Sequence, residues 1–206
     1  MEEKDIHSEL ASIRSIMERS SKFLSLSGLS GILAGIYASI GAFIGYNLVF
    51  EKYNNLIITD SYSDSPSIYH SLYIIAALVL SLSIVTGILL SIREAKKRKE
   101  NYWNPVSKRL VTNMAIPLIT GGLFIAILIL KSDYKLIAAS CHLFYGLALI
   151  SASQYTFSDV KYLGACQIIL GLLSGWMPEY AFIFWLTGFG FLHIVYGSIM
   201  HFKYKQ

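Results

Sequence analysis

Two short runs hold the residues best suited to chemistry. His142-Leu-Phe-Tyr145-Gly146 and His193-Ile-Val-Tyr196-Gly197 share one order: an imidazole, a phenol three residues on, then a glycine. Both lie in long apolar stretches. Residues three and four apart share a helix face, so each His, Tyr and Gly would line one stripe. An ionisable side chain within an apolar span is costly and is expected to face the interior of a bundle. Glycine permits close approach, so the imidazoles can serve as hydrogen-bonded ties between helices. The sharper use is a cofactor site, with His142 and His193 as the two axial ligands of a haem. Counted from the loop charges, the two differ in level by about six or seven residues, near 10 Å at 1.5 Å each, whereas haem needs them level. A third use is a solute cavity lined by Asn113, His142, Tyr145, Gln167, His193 and Tyr196.

Other chemistry finds little support. Gly28-Leu-Ser30-Gly31 has the form GxSG and resembles the rhomboid intramembrane proteases in those letters and in the count of spans. The rhomboid serine sits on the fourth helix, whereas Ser30 is on the first, and no general base is placed beside it. Five histidines, with His7 in the N-terminal tail, are too few for a membrane di-iron oxygenase. HExxH, Walker A and dinucleotide fingerprints are absent, as are the proline-acidic motifs of three-repeat mitochondrial carriers. Asp60 and Asp64 in TDSYSDSPS have no ordered metal-ligand pattern, so a solvated loop is expected there. No catalytic or metal-ligating residue is assigned, and the chain leans away from being an enzyme.

These side chains sit on elements that composition identifies. The 206 residues are 54% hydrophobic and only 15% charged, with a mean hydropathy of +0.53. That is too apolar for an ordinary soluble domain, which is about a quarter charged. Six apolar segments are expected to cross a bilayer: residues 23–50, 67–92, 110–130, 136–157, 162–177 and 180–202. None holds Asp, Glu, Lys or Arg. The fifth is short, about 24 Å as a helix, and must stand nearly upright. Fourteen Lys/Arg fall before the first span, after the second, between the fourth and fifth and in the tail; only Lys52, Lys131 and Lys135 fall on the other side. By the positive-inside rule both termini are cytoplasmic. Without a coupling carboxylate in any span, a proton- or sodium-driven relay lacks its usual residues. The net charge of +4 then reflects contact with anionic lipid, at residues 93–109 above all, rather than with nucleic acid. Cys141 and Cys166 fall near opposite membrane faces, too far apart for a disulfide.

Within the first span, Ser27, Gly31, Ala34, Gly35, Ala38, Gly41, Ala42 and Gly45 fall on one arc of the helix. Small residues mark packing faces in lipid, so this helix is expected to be the post for the others. Residues 1–22 repeat apolar positions at Ile6, Leu10, Ile13 and Met17 with mixed charge elsewhere. This is an amphipathic cytoplasmic helix suited to a partner helix or a second copy, and it can run on into the first span. Asn104-Pro105 reads as the N-cap and first residue of the third helix, and Pro117 as a kink that frees the Asn113 carbonyl. The second helix carries a reduced motif, Ser83-Ile-Val-Thr86-Gly87, so the chain can be three helical-hairpin repeats.

The stretch SSKFLSLSGLSGILAGIYASIGAF, behind its amphipathic start, resembles a family of uncharacterised bacterial multi-pass inner-membrane proteins. The resemblance implies an inner-membrane location and brings no activity and no site residues. The reading is an all-α polytopic membrane protein with a cytoplasmic segment (residues 1–22) and a six-helix transmembrane domain (residues 23–206). It acts as a non-enzymatic anchor, sensor or accessory subunit through helix packing. The alternative is a transporter for a small neutral or amphiphilic solute; a haem protein or intramembrane enzyme comes third.

Overall fold

Asn104 illustrates how the helices are set. Its side chain accepts from the Ser107 N–H at 2.8 Å while Ser107 Oγ accepts from the Asn104 N–H at 2.9 Å, a reciprocal capping box. Pro105 follows at the first helical position, where its missing N–H costs nothing. A computed structural model describes residues 22, 23, 27–59 and 66–204, without the side chains of residues 50–59 and 66–69. Every regular element among the described residues is helical. In order the main ones are α1 (Gly28–Thr59), α2 (Pro66–Lys97), α3 (Pro105–Leu130), α4 (Ile137–Ala152), α5 (Val160–Trp176) and a composite α6, with short 3-10 helices at Tyr134–Leu136 before α4 and Pro178–Tyr180 before α6. The last joins an α-helix over Ala181–Trp185, a π-helical segment over Leu186–Phe191 and an α-helix over Leu192–Lys203. Five stretches are long and apolar enough to cross a membrane; α5 is apolar but shorter.

The boundaries depart from the sequence reading at the start of the first helix and the end of the fourth. The first helix begins at Gly28 rather than at residue 23, and it does not run back through Phe23. The reason is that the backbone of Phe23 is engaged elsewhere. Its N–H donates to Tyr155 O at 2.7 Å, and its carbonyl accepts from the buried Thr156 Oγ at 2.8 Å. The Phe23 ring is buried with Leu110 and Ala152. The fourth helix stops at Ala152, short of residue 157, because the turn that follows supplies those partners. The amphipathic reading of residues 1–21 lies outside the described residues.

α4 and α5 form the most extensive pair, and α6 joins them to α1. α2 packs mainly on α1, and α3 mainly on α4. The small-residue stripe of α1 therefore serves two neighbours rather than all five. A Cβ on Gly28 would strike the His201 backbone of α6, and one on Gly35 would lie 2.7 Å from Gly190 O. Farther along, a Cβ on Gly41 would lie 2.6 Å from Val79 Cγ2 of α2. The expected post thus holds only one side of the bundle. The glycines of the HxxYG motif are used alike in two helices. Gly146 meets Gly164 of α5 backbone to backbone, and Gly197 meets Gly28 and Ile32 of α1. Gly87 of the reduced third copy has nothing within 4 Å.

Candidate functional site: a polar chain in the helical core

His142 and Tyr145 on α4, Gln167 on α5, and Gly188 and His193 on α6 come together in one hydrogen-bonded chain. His142 and Gln167 are fully buried, and His193 is 6% exposed. The chain is organised by one backbone carbonyl. In the π-helical segment the Leu192 N–H bonds to Thr187 O, five residues back, instead of to Gly188 O. A π-bulge of this kind frees a carbonyl for side chains. Gly188 O accepts from Gln167 Nε2 at 2.9 Å and from His193 Nδ1 at 2.8 Å.

A carbonyl can only accept, and with both imidazoles neutral in this buried core this fixes every proton in the chain. His193 must carry its proton on Nδ1, which leaves Nε2 as an acceptor for the Tyr145 hydroxyl at 2.8 Å. Gln167 must turn its amide nitrogen to Gly188, so its oxygen faces His142 Nδ1 at 2.6 Å. That imidazole nitrogen is therefore also protonated. The direction runs from Tyr145 and from His142 inward to Gly188. His142 Nε2 stands at one end as a buried lone pair without a hydrogen-bond partner.

Aromatic rings pack around these bonds and exclude solvent. Phe189 stacks on His142 with centroids 4.5 Å apart and planes at 20°. Trp185 lies 4.6 Å from Phe189, and Tyr145 lies 5.4 Å from it. Gly188 must be glycine: a Cβ there would sit 2.5 Å from His142 Cε1 and 2.8 Å from Gln167 Oε1.

Of the six residues expected to share a site, four do: His142, Tyr145, Gln167 and His193. Tyr196, three residues after His193, is not in the chain and packs against the Leu149, Phe157, Val160, Leu163 and Met200 cluster. Its buried hydroxyl has no hydrogen-bond partner. Asn113 on α3 is apart from the chain and donates to Arg109 O of its own helix at 2.8 Å. The chain does not fit a bis-imidazole haem. Both nitrogens of His193 are engaged, and an aromatic ring covers the face of His142. No group of three or more His, Cys, Asp or Glu side chains among the described residues is arranged for a metal ion. Cys141 and Cys166 are free thiols.

Gly188, Phe189 and Trp185 were not assigned to the site by the sequence reading. The signal for them was the run Leu186–Phe191, LTGFGF, in which two glycines interrupt an apolar helix. Comparison with protein families, with characterised proteins and with solved structures finds no match to this chain.

Proposed function

We propose that this is a six-span protein of a bacterial inner membrane, with both termini cytoplasmic, that works without catalysis as an anchor, sensor or accessory subunit. The observation that carries the reading is the closed polar chain. The residues best suited to bind a solute or a metal are instead bonded to one another across three helices and sealed by aromatic rings. Such a chain fixes how α4, α5 and α6 sit together, which is what an assembly scaffold needs.

The surfaces left for partners are the amphipathic residues 1–22 and the basic segment 93–109. Phe23 supports the first, because its two backbone bonds and buried ring hold the exit of that segment against the α4–α5 turn. A partner helix or a second copy of the chain is its expected contact. In the second, Glu94 pairs with Lys97 and Arg98, leaving Arg93, Lys96, Lys99 and Lys108 for anionic headgroups.

Reporter fusions at Asp60 and Lys97 test the topology and should localise to opposite compartments. Cross-linking and native mass measurement before and after deletion of residues 1–20 test assembly. Loss of a partner or of a dimer on deletion is expected, and an unchanged mass overturns the reading.

A further inference from the structure

Gly188 O has three claimants for two lone pairs. Gln167 Nε2 of α5 and His193 Nδ1 hold them, at 2.9 and 2.8 Å. The third claimant is the Leu192 N–H, which an α-helix would bond to Gly188 O, four residues back. It bonds to Thr187 O instead. Two side chains therefore keep Leu186–Phe191 in the π register. With either withdrawn, a lone pair opens beside Leu192, and an unbroken α-helix satisfies it from within. Closing the helix takes one residue out of the π segment. Everything on one side of the segment must then turn by about 100° and move about 1.5 Å along the axis.

Packing decides which side turns. The C-terminal half of α6, Leu192–Lys203, is locked to α1: a Cβ on Gly197 would lie 2.5 Å from Ile32 N and 2.7 Å from Gly28 O. The N-terminal half, Ala181–Trp185, is held lightly. α1 packs chiefly along Leu186–Lys203 and meets the N-terminal half at its edge, with Phe182 on Tyr46. Ala181, Phe182 and Trp185 border a cleft of about 490 Å³, which gives their side chains room to turn. Gly188 and Gly190 lie in the π segment itself, where a change of register carries no Cβ past a neighbour. We propose that α6 is a two-register helix whose N-terminal half turns between this π register and an unbroken α register, with Gly188 O as the switch point and Gln167 as the residue that sets it. The device couples α5 to the far end of α6: a shift of α5 that draws Gln167 from Gly188 turns Phe182 and Trp185. Trp185 lies 4.6 Å from Phe189 and 6.0 Å from His142, so its ring leaves the seal over the polar chain in the second register. Packed elements with two discrete arrangements turn a small displacement into a large one in this way. The switch depends on helix packing and not on the assembly role of residues 1–22.

The test places nitroxide pairs on full-length protein in nanodiscs, with Cys141→Ala and Cys166→Ala removing the native thiols. One pair joins Ile183→Cys, on the N-terminal half of α6, to Leu130→Cys at the end of α3. The other joins Phe202→Cys, on the C-terminal half, to the same Leu130→Cys. All three positions are exposed, and pulsed electron resonance reads the distances. Gln167→Met keeps the length of the side chain and removes its hydrogen bonds. In that variant the Ile183 pair should show a second distance, shifted by up to about 8 Å, the path of a surface side chain through a turn of about 100°. The Phe202 pair should stay as in the parent. Gln167→Asn, one methylene too short to reach Gly188, should act alike and carries the test if the methionine variant does not fold. A single Ile183 distance equal to the parent's, in either folded variant, overturns the switch. Equal shifts in both pairs also overturn it, because α6 would then move as one body. Should neither variant fold, parent samples frozen from rising temperatures decide. A second distance that grows before unfolding supports the switch, and a single one up to that point overturns it.

Discussion

Tyr145 of one HxxYG motif donates to His193 of the other, 2.8 Å away, and the converse pair does not form. His142 turns to Gln167 instead, and the Tyr196 hydroxyl is buried without a hydrogen-bond partner. Two copies of a sequence motif therefore make one unsymmetrical interaction. The symmetry is broken by α6, whose π-helical segment presents Gly188 O to both Gln167 and His193.

The first prediction concerns proton placement. Because Gly188 O only accepts and no carboxylate in the chain of bonds would pair an imidazolium in this buried core, both His142 and His193 are neutral Nδ1–H tautomers with bare Nε2 atoms. Nitrogen-15 spectra of histidine-labelled protein should show a protonated Nδ1 and an unprotonated Nε2 at both residues. Tyr145→Phe should move the Nε2 resonance of His193 and leave that of His142 in place. An Nε2–H signal from either ring would contradict the chain of bonds.

Steric and polar contributions can be separated at the same site. Gly188→Ala places a methyl group 2.5 Å from His142 Cε1, in a core with no room to yield. Overpacking of this kind costs about 1–3 kcal/mol. Tyr145→Phe removes one hydrogen bond between membrane helices, worth about 0.6 kcal/mol on average. Unfolding in mixed micelles should rank Gly188→Ala as clearly the more damaging change. The reverse order would mean that the bond, rather than the close fit, holds α6 in place.

How much of this was legible in the sequence depends on range. The helices follow from runs of apolar residues, and the α3 start follows from Asn104-Pro105, because both are local signals. The convergence of His142, Tyr145, Gln167 and His193 could be read as a set of polar residues inside spans, which must find partners. The partner itself could not. Gly188 contributes a backbone carbonyl, which every residue has, and it is available only because the helix changes its hydrogen-bond register there. Phe23 is a similar case: its sequence continues an apolar helix, but distant partners on the α4–α5 turn take its N–H and carbonyl. Asn113 was grouped with the site as a polar residue beside the Pro117 kink, and its side chain bonds to Arg109 O of its own helix.

The loop before α5 gives a pH dependence. Asp159 accepts from Lys203 Nζ at 2.6 Å and from the Tyr204 hydroxyl at 3.1 Å. The Lys203 hydrogen bond, with smaller help from Tyr204 and against partial burial, holds the carboxyl below the usual carboxylate range. A depressed folded pKa contributes stability above the unfolded pKa, about 3.9. That contribution is complete at neutral pH and is lost as pH falls through 4 toward the folded value. Asp159→Asn should remove it, so that stability falls less steeply than in the parent over the same acid range. Equal slopes would show that the pair contributes nothing, the common outcome for exposed ion pairs.

The last prediction uses the motif glycines as a built-in control. Gly197 and Gly87 occupy equivalent places in the full and reduced motifs, and sequence alone gives no reason to treat them differently. A Cβ at Gly197 would lie 2.5 Å from Ile32 N and 2.7 Å from Gly28 O, backbone atoms of α1 that cannot turn aside. One at Gly87 meets nothing within 4 Å. Gly197→Val must therefore push α6 off α1, whereas Gly87→Val only adds apolar surface to a helix already exposed along its length. Overpacking puts the first at about 1–3 kcal/mol or more, and surface substitutions put the second within about 0.5 kcal/mol. Unfolding of the two variants in the same detergent distinguishes them. If Gly87→Val were as damaging as Gly197→Val, α2 would have a close neighbour at that position, either a second copy of the chain or a partner protein seated against it.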